Sequence, residues 1–479
     1  MKKLLFFISF LLPLGNVIAQ QHNTSKDYVV PDDSLVQKNL HKWQGLKFGL
    51  FMHWGTYSQW GVVESWSICP EDEGWTQRRG PYGANYNEYK KAYENLQTTF
   101  NPPKFNPEKW VAAAKYAGMK YVVFTTKHHD GFSMFDTKQT DYKVTSTKTP
   151  FSTNPRSNVA KEIFGAFSKE NFMIGAYFSK PDWHTEYYWW PYFPPKDRNV
   201  NYNPAKYPER WQKFKDFTFN QIQELMTGYG KVDILWLDGG WVRPKNTIDA
   251  AVDWQRTIPY DQDIDMAKIA KAARIKQPGL IVVDRTVAGQ YENYTTPEQQ
   301  VPDAPLNHPW ESCITMGSSW SYVPGDHYKP ANEIVTLLVK IVSRGGNLLM
   351  NIGPGPDGDW DPVAYSRLKQ IGDWMKINGE GIYSSEAIAP YSEGNTYYTK
   401  AGNSVYAFVL APKDNDEVAL PAQITMHLTG QGKVKKISLL GANQKLKYTA
   451  NEGAINIVIP ASLQTQSGLK HAAVFKIQY

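Results

Sequence analysis

The feature that most constrains the fold of this chain is a repeated alternation of short apolar runs with amphipathic helical stretches between residues 47 and 352. Continuous apolar runs of this kind are typical of strands in a parallel sheet that is buried on both faces. Seven runs are visible and an eighth is not; they begin at Lys47, Lys120, Met173, Val232, Leu280, His308 and Gly345. Repeated strand and helix units predict a (β/α)8-like TIM barrel, to which we assign residues 31–385.

Most of these runs end in polar residues. The endings are His53, the segment from His128 to Asp130, Ser179, Asp238, Arg285 and Asn351. In a parallel barrel the carboxyl ends of the strands converge on one pocket, while the strands themselves stay rigid. The polar endings therefore predict an active site at this end of the barrel.

Beyond residue 390 the hydrophobic pattern changes to a period of two. Alternation of apolar and polar residues is typical of strands with one buried face. The alternating runs begin at Val405, Gln423, Lys435, Ala454 and Ala472. They predict a C-terminal antiparallel β-sandwich over residues 393–479, which contains no cluster of catalytic residue types.

The first 19 residues have the pattern of a secretory signal peptide: two lysines, an apolar run broken by Pro13, and small residues at Val17 and Ala19. We therefore expect an exported protein, either periplasmic or secreted. No later stretch approaches the roughly 20 apolar residues of a membrane span, so no membrane insertion is expected. Cys69 and Cys313 are too few for a disulfide framework.

Composition narrows the class of ligand. The formal charge is only +6 and no block of lysine and arginine is present, so nucleic acid is not an expected partner. The chain contains 17 Trp, 29 Tyr and 21 Phe, more flat apolar side chains than a core requires. Such rings suit surfaces that stack on sugars.

Asp238 is the strongest candidate for a catalytic residue, since it ends the buried run DILWLDGGW. Trp236 shares its strand face, and the two following glycines would let a substrate approach the backbone. Glu292 and Glu298 lie one strand and helix unit later, and either could face Asp238. Two carboxylates, one nucleophilic or basic and one acidic, are the machinery of glycoside hydrolysis; a retaining enzyme places them roughly 5 to 5.5 Å apart.

His53, His128 and His129 form a second polar group. Because neighbouring side chains of an extended strand point to opposite faces, and no H-x-H or H-E-x-x-H spacing is present, we expect neither a metal nor another cofactor. Neutral imidazoles can instead donate hydrogen bonds to sugar hydroxyls. Arg285 would keep Asp238 ionised, or serve only as a structural ion pair.

Six segments in order resemble the α-L-fucosidases of glycoside hydrolase family 29, and more specifically an exported, bacterial-type member. They are GLFMHWGTYS, KHHDGF, LWLD, VDR, PWE at Glu311 and SRGGNLLMNIGP. Together they span nearly the whole predicted barrel, and a β-sandwich after the barrel is also the arrangement of that family. The resemblance implies a retaining exo-α-L-fucosidase that releases terminal α-L-fucose from oligosaccharides or glycoprotein glycans.

The resemblance also implies roles for individual residues. Asp238 falls on the nucleophile that forms a covalent fucosyl intermediate, and Glu298 on the acid/base, with Glu292 as the alternative. Residues at fucose-binding positions are His53, Glu64, Trp66, His128, His129 and Arg285, with Tyr177 or Phe178 at a further aromatic position. Phe51, Trp236 and Trp320 match the patch that receives the C6 methyl of fucose, a group whose burial is worth roughly 0.8 kcal/mol per carbon.

One departure affects these positions, since Ser65 separates Glu64 from Trp66 where the family often has Glu and Trp adjacent. The loop YYWWPYFPP from Tyr187 is dense in aromatic residues and is interpreted either as a platform for the sugar attached to fucose or as a cover of the barrel rim. Other functions that stay open are a retaining glycosidase of another sugar, a fucose-binding barrel without catalysis, and a metal-dependent hydrolase.

Overall fold

The computed structural model describes residues 28–71, 76, 78, 80–451, 453–464 and 468–479. The predicted signal peptide, residues 1–19, lies outside the described residues. Within the described part of the chain, no helix has the length and apolar character needed to cross a membrane.

The seven apolar runs form seven strands that pair in parallel, in the order β5-β4-β3-β2-β1-β7-β6. The strands are β1 (Phe48–Met52), β2 (Tyr121–Lys127), β3 (Met173–Ser179), β4 (Ile234–Asp238), β5 (Ile281–Asp284), β6 (Glu311–Thr315) and β7 (Asn347–Asn351). Nearly every residue in them is buried, which explains why they read as continuous apolar runs. The predicted parallel, curled sheet is confirmed.

An irregular extended segment fills the place where an eighth strand would close the barrel, between β5 and β6. On one side, the Asn293 amide donates to the Val282 carbonyl of β5 at 2.9 Å. On the other side, the Gln299 amide donates to the Cys313 carbonyl of β6, also at 2.9 Å. Because this segment contains Pro297 and lacks an apolar run, it carries no strand signal in the sequence. Its position puts Glu298 in the barrel wall.

Helices follow or precede the strands on the outside of the sheet. They are α1 (Ser34–Leu46), α2 (Tyr86–Glu94), α3 (Pro107–Tyr116), α4 (Val159–Lys169), α5 (Pro208–Gly228), α6 (Asp253–Arg256), α7 (Met266–Lys276), α8 (Ala331–Ser343) and α9 (Pro362–Asn378). Several begin with local sequence signals: in α3 the Asn106 side chain caps the Lys109 amide at 3.1 Å, and Pro107 occupies the first turn.

The barrel interior is packed with side chains rather than open. Phe51, Tyr121, Tyr177, Trp236 and Leu349 belong to one buried apolar cluster. The ring of Tyr121 fills the space beside β1, where a Cβ atom on Gly49 would lie only 2.4 Å from it. A filled interior leaves the carboxyl ends of the strands as the place for a substrate.

The C-terminal region forms two antiparallel sheets, in the orders β12-β15-β10-β9-β8 and β11-β14-β13. Their strands, with one short helix, are β8 (Glu386–Glu393), β9 (Thr396–Ala401), β10 (Ser404–Leu410), β11 (Gln423–Met426), β12 (Lys436–Leu439), β13 (Lys447–Asn451), β14 (Ala454–Val458), α10 (Ala461–Gln464) and β15 (Ala472–Gln478). The five predicted runs are strands of these sheets. β8, β9 and β13 were not predicted. β8 and β13 lie at sheet edges and have at most one buried residue each, and the sequence of β9, TYYTKA, lacks a regular alternation of apolar and polar residues.

Candidate active site

Arg285 joins the two carboxylates that the sequence singles out. It follows β5 directly, and its Nη1 lies 3.0 Å from Asp238 Oδ1, at the end of β4. Its Nη2 lies 2.6 Å from Glu298 Oε2, in the segment that closes the barrel. The guanidinium is 6% exposed and stacks over Trp236 at 4.8 Å. One buried cation therefore brings both carboxylates to the same pocket.

Asp238 is held in its ionised form. Burial alone would raise the pKa of this carboxyl, but the Arg285 charge, the neighbouring His129 and a hydrogen bond from Tyr177 together lower its pKa below the ordinary value. The Tyr177 hydroxyl donates to Asp238 Oδ2 at 2.7 Å. Tyr177 points into the barrel, whereas Phe178 packs on the outer side of β3. The structure thus brings Tyr177, and not Phe178, to the pocket.

Glu292 occupies a different environment. Its Oε1 accepts a hydrogen bond from the Thr286 amide at 2.8 Å, and burial raises the pKa of its carboxyl to about 8. It borders β5 through a bridge to Val283 and makes no ion pair with Arg285 among the described contacts. The geometry therefore favours Glu298 over Glu292 as the partner of Asp238.

The two glycines after Asp238 have a packing role. Gly239 has a φ of 86°, and a Cβ atom there would lie 2.2 Å from Pro181. A Cβ atom on Gly240 would lie 2.0 Å from the Thr286 hydroxyl. Both positions therefore require glycine so that the loops after the neighbouring strands β3 and β5 can pack against them.

His128 and His129 both face the pocket, so the expectation that they point to opposite faces is wrong. β2 ends at Lys127, after an irregular register, and the histidines lie in the turn that follows. Their ring centroids are 4.2 Å apart. His129 Nε2 lies 3.8 Å from Asp238 Oδ2, and the His128 ring is 5.6 Å from that of His53.

The histidines are buried and uncharged at neutral pH. Burial lowers the pKa of His53 and of His129 to about 4, and lowers that of His128 as well. Each Nδ1 contacts a buried polar side chain: His53 contacts Asn351, His128 contacts Ser65, and His129 contacts Ser179. Neutral imidazoles suit hydrogen bonds with sugar hydroxyls.

Glu64 and Trp66 both lie in the pocket wall despite the intervening Ser65. The Trp66 ring is 5.4 Å from that of His129. Glu64 Oε1 accepts from the Ser321 amide at 2.8 Å, and burial raises the pKa of its carboxyl to about 7. A short 3-10 turn over Ser65–Ile68 produces this arrangement, and it turns Ser65 inward as well.

Among the three residues matched to a methyl-binding patch, Phe51 contacts the other two. The Phe51 ring lies 5.1 Å from Trp236 and 5.8 Å from Trp320. Trp236 also donates to the buried carboxyl of Glu311 at 3.3 Å, which fixes the orientation of its indole. The patch is apolar on the side that these rings share.

Aromatic residues that the sequence did not single out extend the wall on the far side of His129. Trp183 and Trp241 each have ring centroids 5.1 Å from that of His129. Arg198 lies 4.9 Å over Trp66, at the rim. Trp241 directly follows the glycines in DGGW, whereas the distant Trp183 and Arg198 carry no sequence signal that links them to Asp238.

The two tryptophans of the aromatic loop from Tyr187 pack against neighbouring side chains. Trp189 is buried and stacks on Trp183 at 5.1 Å. The Trp190 ring lies 4.1 Å from the Arg210 guanidinium and 5.1 Å from the Tyr192 ring. Tyr192 is the exposed aromatic residue of this loop, at 72%.

Side chains of His128, His129 and Asp238 offer ligand atoms that lie within 4.8 Å of one another, a spacing compatible with a metal ion. The same Asp238 carboxylate already binds Arg285 and Tyr177. A cation at this point would face the guanidinium charge, and the arrangement suits an organic substrate with hydroxyl groups better.

Comparison with known proteins shows the family of the chain. A model of the α-L-fucosidase family matches residues 16–380, and a model of the α-L-fucosidase C-terminal domain matches residues 390–478. The chain belongs to the α-L-fucosidase family. As a member of this family it is a glycoside hydrolase of α-L-fucosides.

Relatives of this α-L-fucosidase family cover the chain almost from end to end. The chain is 27% identical to tissue α-L-fucosidase of Bos taurus, over 97% of this chain and 96% of the relative. It is 28% identical to tissue α-L-fucosidase of Homo sapiens, over 87% and 84%.

Two solved structures of the family have the same fold. α-L-fucosidase isoenzyme 1 from Paenibacillus thiaminolyticus has a TM-score of 0.73 and 27% identity, covering 93% of this chain and 99% of that one. A GH29 α-L-fucosidase from Bacteroides thetaiotaomicron, trapped as a covalent intermediate with 2-fluoro-fucosyl fluoride, has a TM-score of 0.71 and 23% identity, covering 96% and 99%.

Proposed function

We propose that the chain is a retaining exo-α-L-fucosidase in which Asp238 is the nucleophile and Glu298 the general acid/base. The observation that carries this proposal is the pair of contacts from Arg285, at 3.0 Å to Asp238 and 2.6 Å to Glu298. A single guanidinium keeps the two carboxylates in one pocket, as a retaining mechanism requires.

In the first step, Asp238 attacks the anomeric carbon of fucose while protonated Glu298 gives its proton to the departing glycosidic oxygen. A covalent ester between Asp238 and fucose forms. Asp238 suits this role because Arg285 and Tyr177 hold it ionised and fixed in orientation. Tyr177, on the carboxylate oxygen that Arg285 does not bind, limits rotation of the nucleophile.

In the second step, the Glu298 carboxylate takes a proton from water, which attacks the same carbon and releases fucose with its original configuration. The side chain of Glu298 is 20% exposed and that of Asp238 is 16% exposed, so both carboxylates reach the open side of the pocket. Glu298 therefore stands where water and the leaving group have access.

The remaining predicted residues would bind the sugar. His53, Glu64, Trp66, His128 and His129 would bind the hydroxyls of fucose, and Phe51, Trp236 and Trp320 would receive its methyl group. A deep pocket walled on this many sides suits a terminal sugar, and fucosylated oligosaccharides or glycoprotein glycans are the proposed substrates. The signal-like residues 1–19 support export to the periplasm or medium.

The experiment is hydrolysis of an aryl α-L-fucoside by the purified chain and three variants: Asp238→Ala, Glu298→Ala and Glu292→Ala. Turnover should collapse in Asp238→Ala with every substrate. Glu298→Ala should slow a natural fucoside far more than an aryl fucoside, whose leaving group hardly needs a proton. Glu292→Ala is the matched control. If this variant, and not Glu298→Ala, slowed the natural fucoside far more than the aryl fucoside, Glu292 would be the acid/base.

A further inference from the structure

Each of the three pocket histidines uses Nδ1 to contact a buried polar side chain, which leaves Nε2 as the ring nitrogen available to a ligand. The Nδ1 distances are 2.8 Å for His53 to Asn351, 2.5 Å for His128 to Ser65 and 2.8 Å for His129 to Ser179. A neutral imidazole carries one proton, so the direction of each contact determines whether Nε2 donates or accepts.

Asn351 determines the tautomer of His53. Its Nδ2 donates to the Trp320 carbonyl at 2.7 Å, an atom that can only accept, so the amide oxygen must face His53. An amide oxygen also only accepts. The proton of His53 therefore lies on Nδ1, and its Nε2 is a bare acceptor.

Ser179 determines the tautomer of His129 through a chain that ends at Asp238. The ionised carboxylate accepts the Tyr177 proton at 2.7 Å, so the Tyr177 oxygen must accept from Ser179, 3.1 Å away. With its own proton used, the Ser179 oxygen must accept from His129 Nδ1. His129 Nε2 is therefore also a bare acceptor.

Ser65 produces the opposite result at His128. The Asp130 amide donates to the Ser65 oxygen at 2.9 Å, and the Ser65 hydroxyl is buried. His128 Nδ1 is the acceptor that the described contacts provide for the Ser65 proton. Because a buried hydroxyl proton is seldom left without a partner, Ser65 donates and His128 carries its proton on Nε2.

We propose that Asn351, Ser179 and Ser65 are positioning residues that set how the pocket recognises sugar hydroxyls: His53 and His129 accept a hydrogen bond, and His128 donates one. This inference rests on the proposed function, in which these rings bind fucose. It differs from the expectation that the imidazoles donate. It also links the recognition of a hydroxyl at His129 to the orientation of Asp238, through Ser179 and Tyr177.

Neutron diffraction from deuterium-exchanged crystals of the full chain, without ligand and near neutral pH, tests the pattern directly. The expected map has deuterium on Nδ1 of His53 and His129 and on Nε2 of His128. Deuterium on Nε2 of His129 or His53, or on both nitrogens of any of the three, would overturn the proposal. The deuterium positions can be read from an inactive protein as well as from an active one. A failure to hydrolyse aryl fucosides would therefore contradict the proposed function and not the proton positions.

Two variants of Ser179 test its role in the hydrogen-bond chain from His129 through Tyr177 to Asp238. Ser179→Ala should lower kcat/KM for an aryl α-L-fucoside about five- to tenfold, the scale of one hydrogen bond, and should shift the ¹⁵N signals of the His129 ring. Ser179→Thr keeps the hydroxyl, so both kcat/KM and the ¹⁵N signals of the His129 ring should stay unchanged. Unchanged His129 signals in Ser179→Ala would contradict the link.

Thr126→Val is the matched control for loss of a buried hydroxyl. Thr126 donates to the Tyr177 carbonyl at 2.6 Å and takes no part in the side-chain relay. This variant should reduce stability and leave the His129 signals unchanged. Should Ser179→Ala fail to fold, the deuterium positions of the unsubstituted protein decide the question.

Discussion

The hydroxyl of Tyr177 donates a hydrogen bond of 2.7 Å to Asp238 Oδ2, on the side of the carboxylate opposite Arg285. The two residues lie on adjacent parallel strands, β3 and β4, where Asp238 is opposite Ser179, two residues beyond Tyr177, so the sheet fixes their relative position without help from a loop. A carboxylate held from both sides is oriented and ionised before a substrate arrives.

Removal of this hydrogen bond by Tyr177→Phe should lower kcat by about ten- to a hundredfold, the scale of a hydrogen bond to a charged group. The ring stays, so packing changes little and KM should change less than kcat. Phe178→Leu is the control: this residue packs outside the sheet, so the variant should lose stability and keep kcat. Equal losses of kcat in the two variants would contradict a specific role of the hydroxyl.

Arg285→Lys should reduce kcat/KM by about a hundredfold or more even though the charge is retained. An ammonium group cannot bind Asp238 and Glu298 with two separate nitrogens, as the guanidinium does. Steady-state kinetics on an aryl α-L-fucoside would measure the loss. Activity within a fewfold of the unsubstituted protein would show that positive charge alone is sufficient.

Glu311 makes stability depend on pH. It is fully buried, and burial raises the pKa of its carboxyl to about 7, above its unfolded value near 4.5. The folded protein therefore binds the Glu311 proton more tightly than the unfolded chain does, so its contribution to the free energy of unfolding falls as pH rises from about 4.5 to about 7.

Glu311→Gln removes this titration while it keeps the shape of the side chain. We therefore compare the free energies of unfolding of the variant and the unsubstituted protein at each pH. From pH 5 to pH 8 the variant should gain about 1 to 3 kcal/mol relative to the unsubstituted protein. Chemical denaturation at a series of pH values measures it. A constant difference would mean that Glu311 is ionised throughout.

Alanine substitutions at two glycines should have opposite effects on stability. Gly49→Ala places a Cβ 2.4 Å from the buried Tyr121 ring and should lower the free energy of unfolding by about 1 to 3 kcal/mol. Gly165 is exposed on α4, and a Cβ atom there would meet nothing within 4 Å, so Gly165→Ala should raise stability by up to about 1 kcal/mol. Thermal unfolding distinguishes the two; stabilisation by both would contradict the packed interior.

The sequence predicts the barrel well because its strands are buried on both faces and therefore stand out as apolar runs. The closing segment around Glu298 escapes detection for the opposite reason, since polar residues and Pro297 replace the run. Asp238 is recognisable because a strand ends in it. The choice between Glu292 and Glu298 depends on which one Arg285 reaches, a distance that only the folded chain provides.

The inward orientation of both His128 and His129 could not be predicted from the sequence. His128 and His129 would point apart on an extended strand, but β2 ends one residue earlier and the turn directs both rings inward. The partners of these rings come from distant positions, such as Asn351 for His53. Asn351 and Ser179 were among the polar strand endings predicted to face the pocket, whereas Ser65 was noted only as the residue that separates Glu64 from Trp66.

The central claim is that Asp238 attacks the sugar, and the most direct measurement is the site of a trapped covalent intermediate. The protein is incubated with 2-deoxy-2-fluoro-α-L-fucosyl fluoride, digested with a protease and analysed by mass spectrometry. The label is predicted on the peptide that contains Asp238, and on that carboxylate. A label on Glu298 or on Glu292 would contradict the assignment, as would hydrolysis that gives fucose of inverted configuration without any adduct.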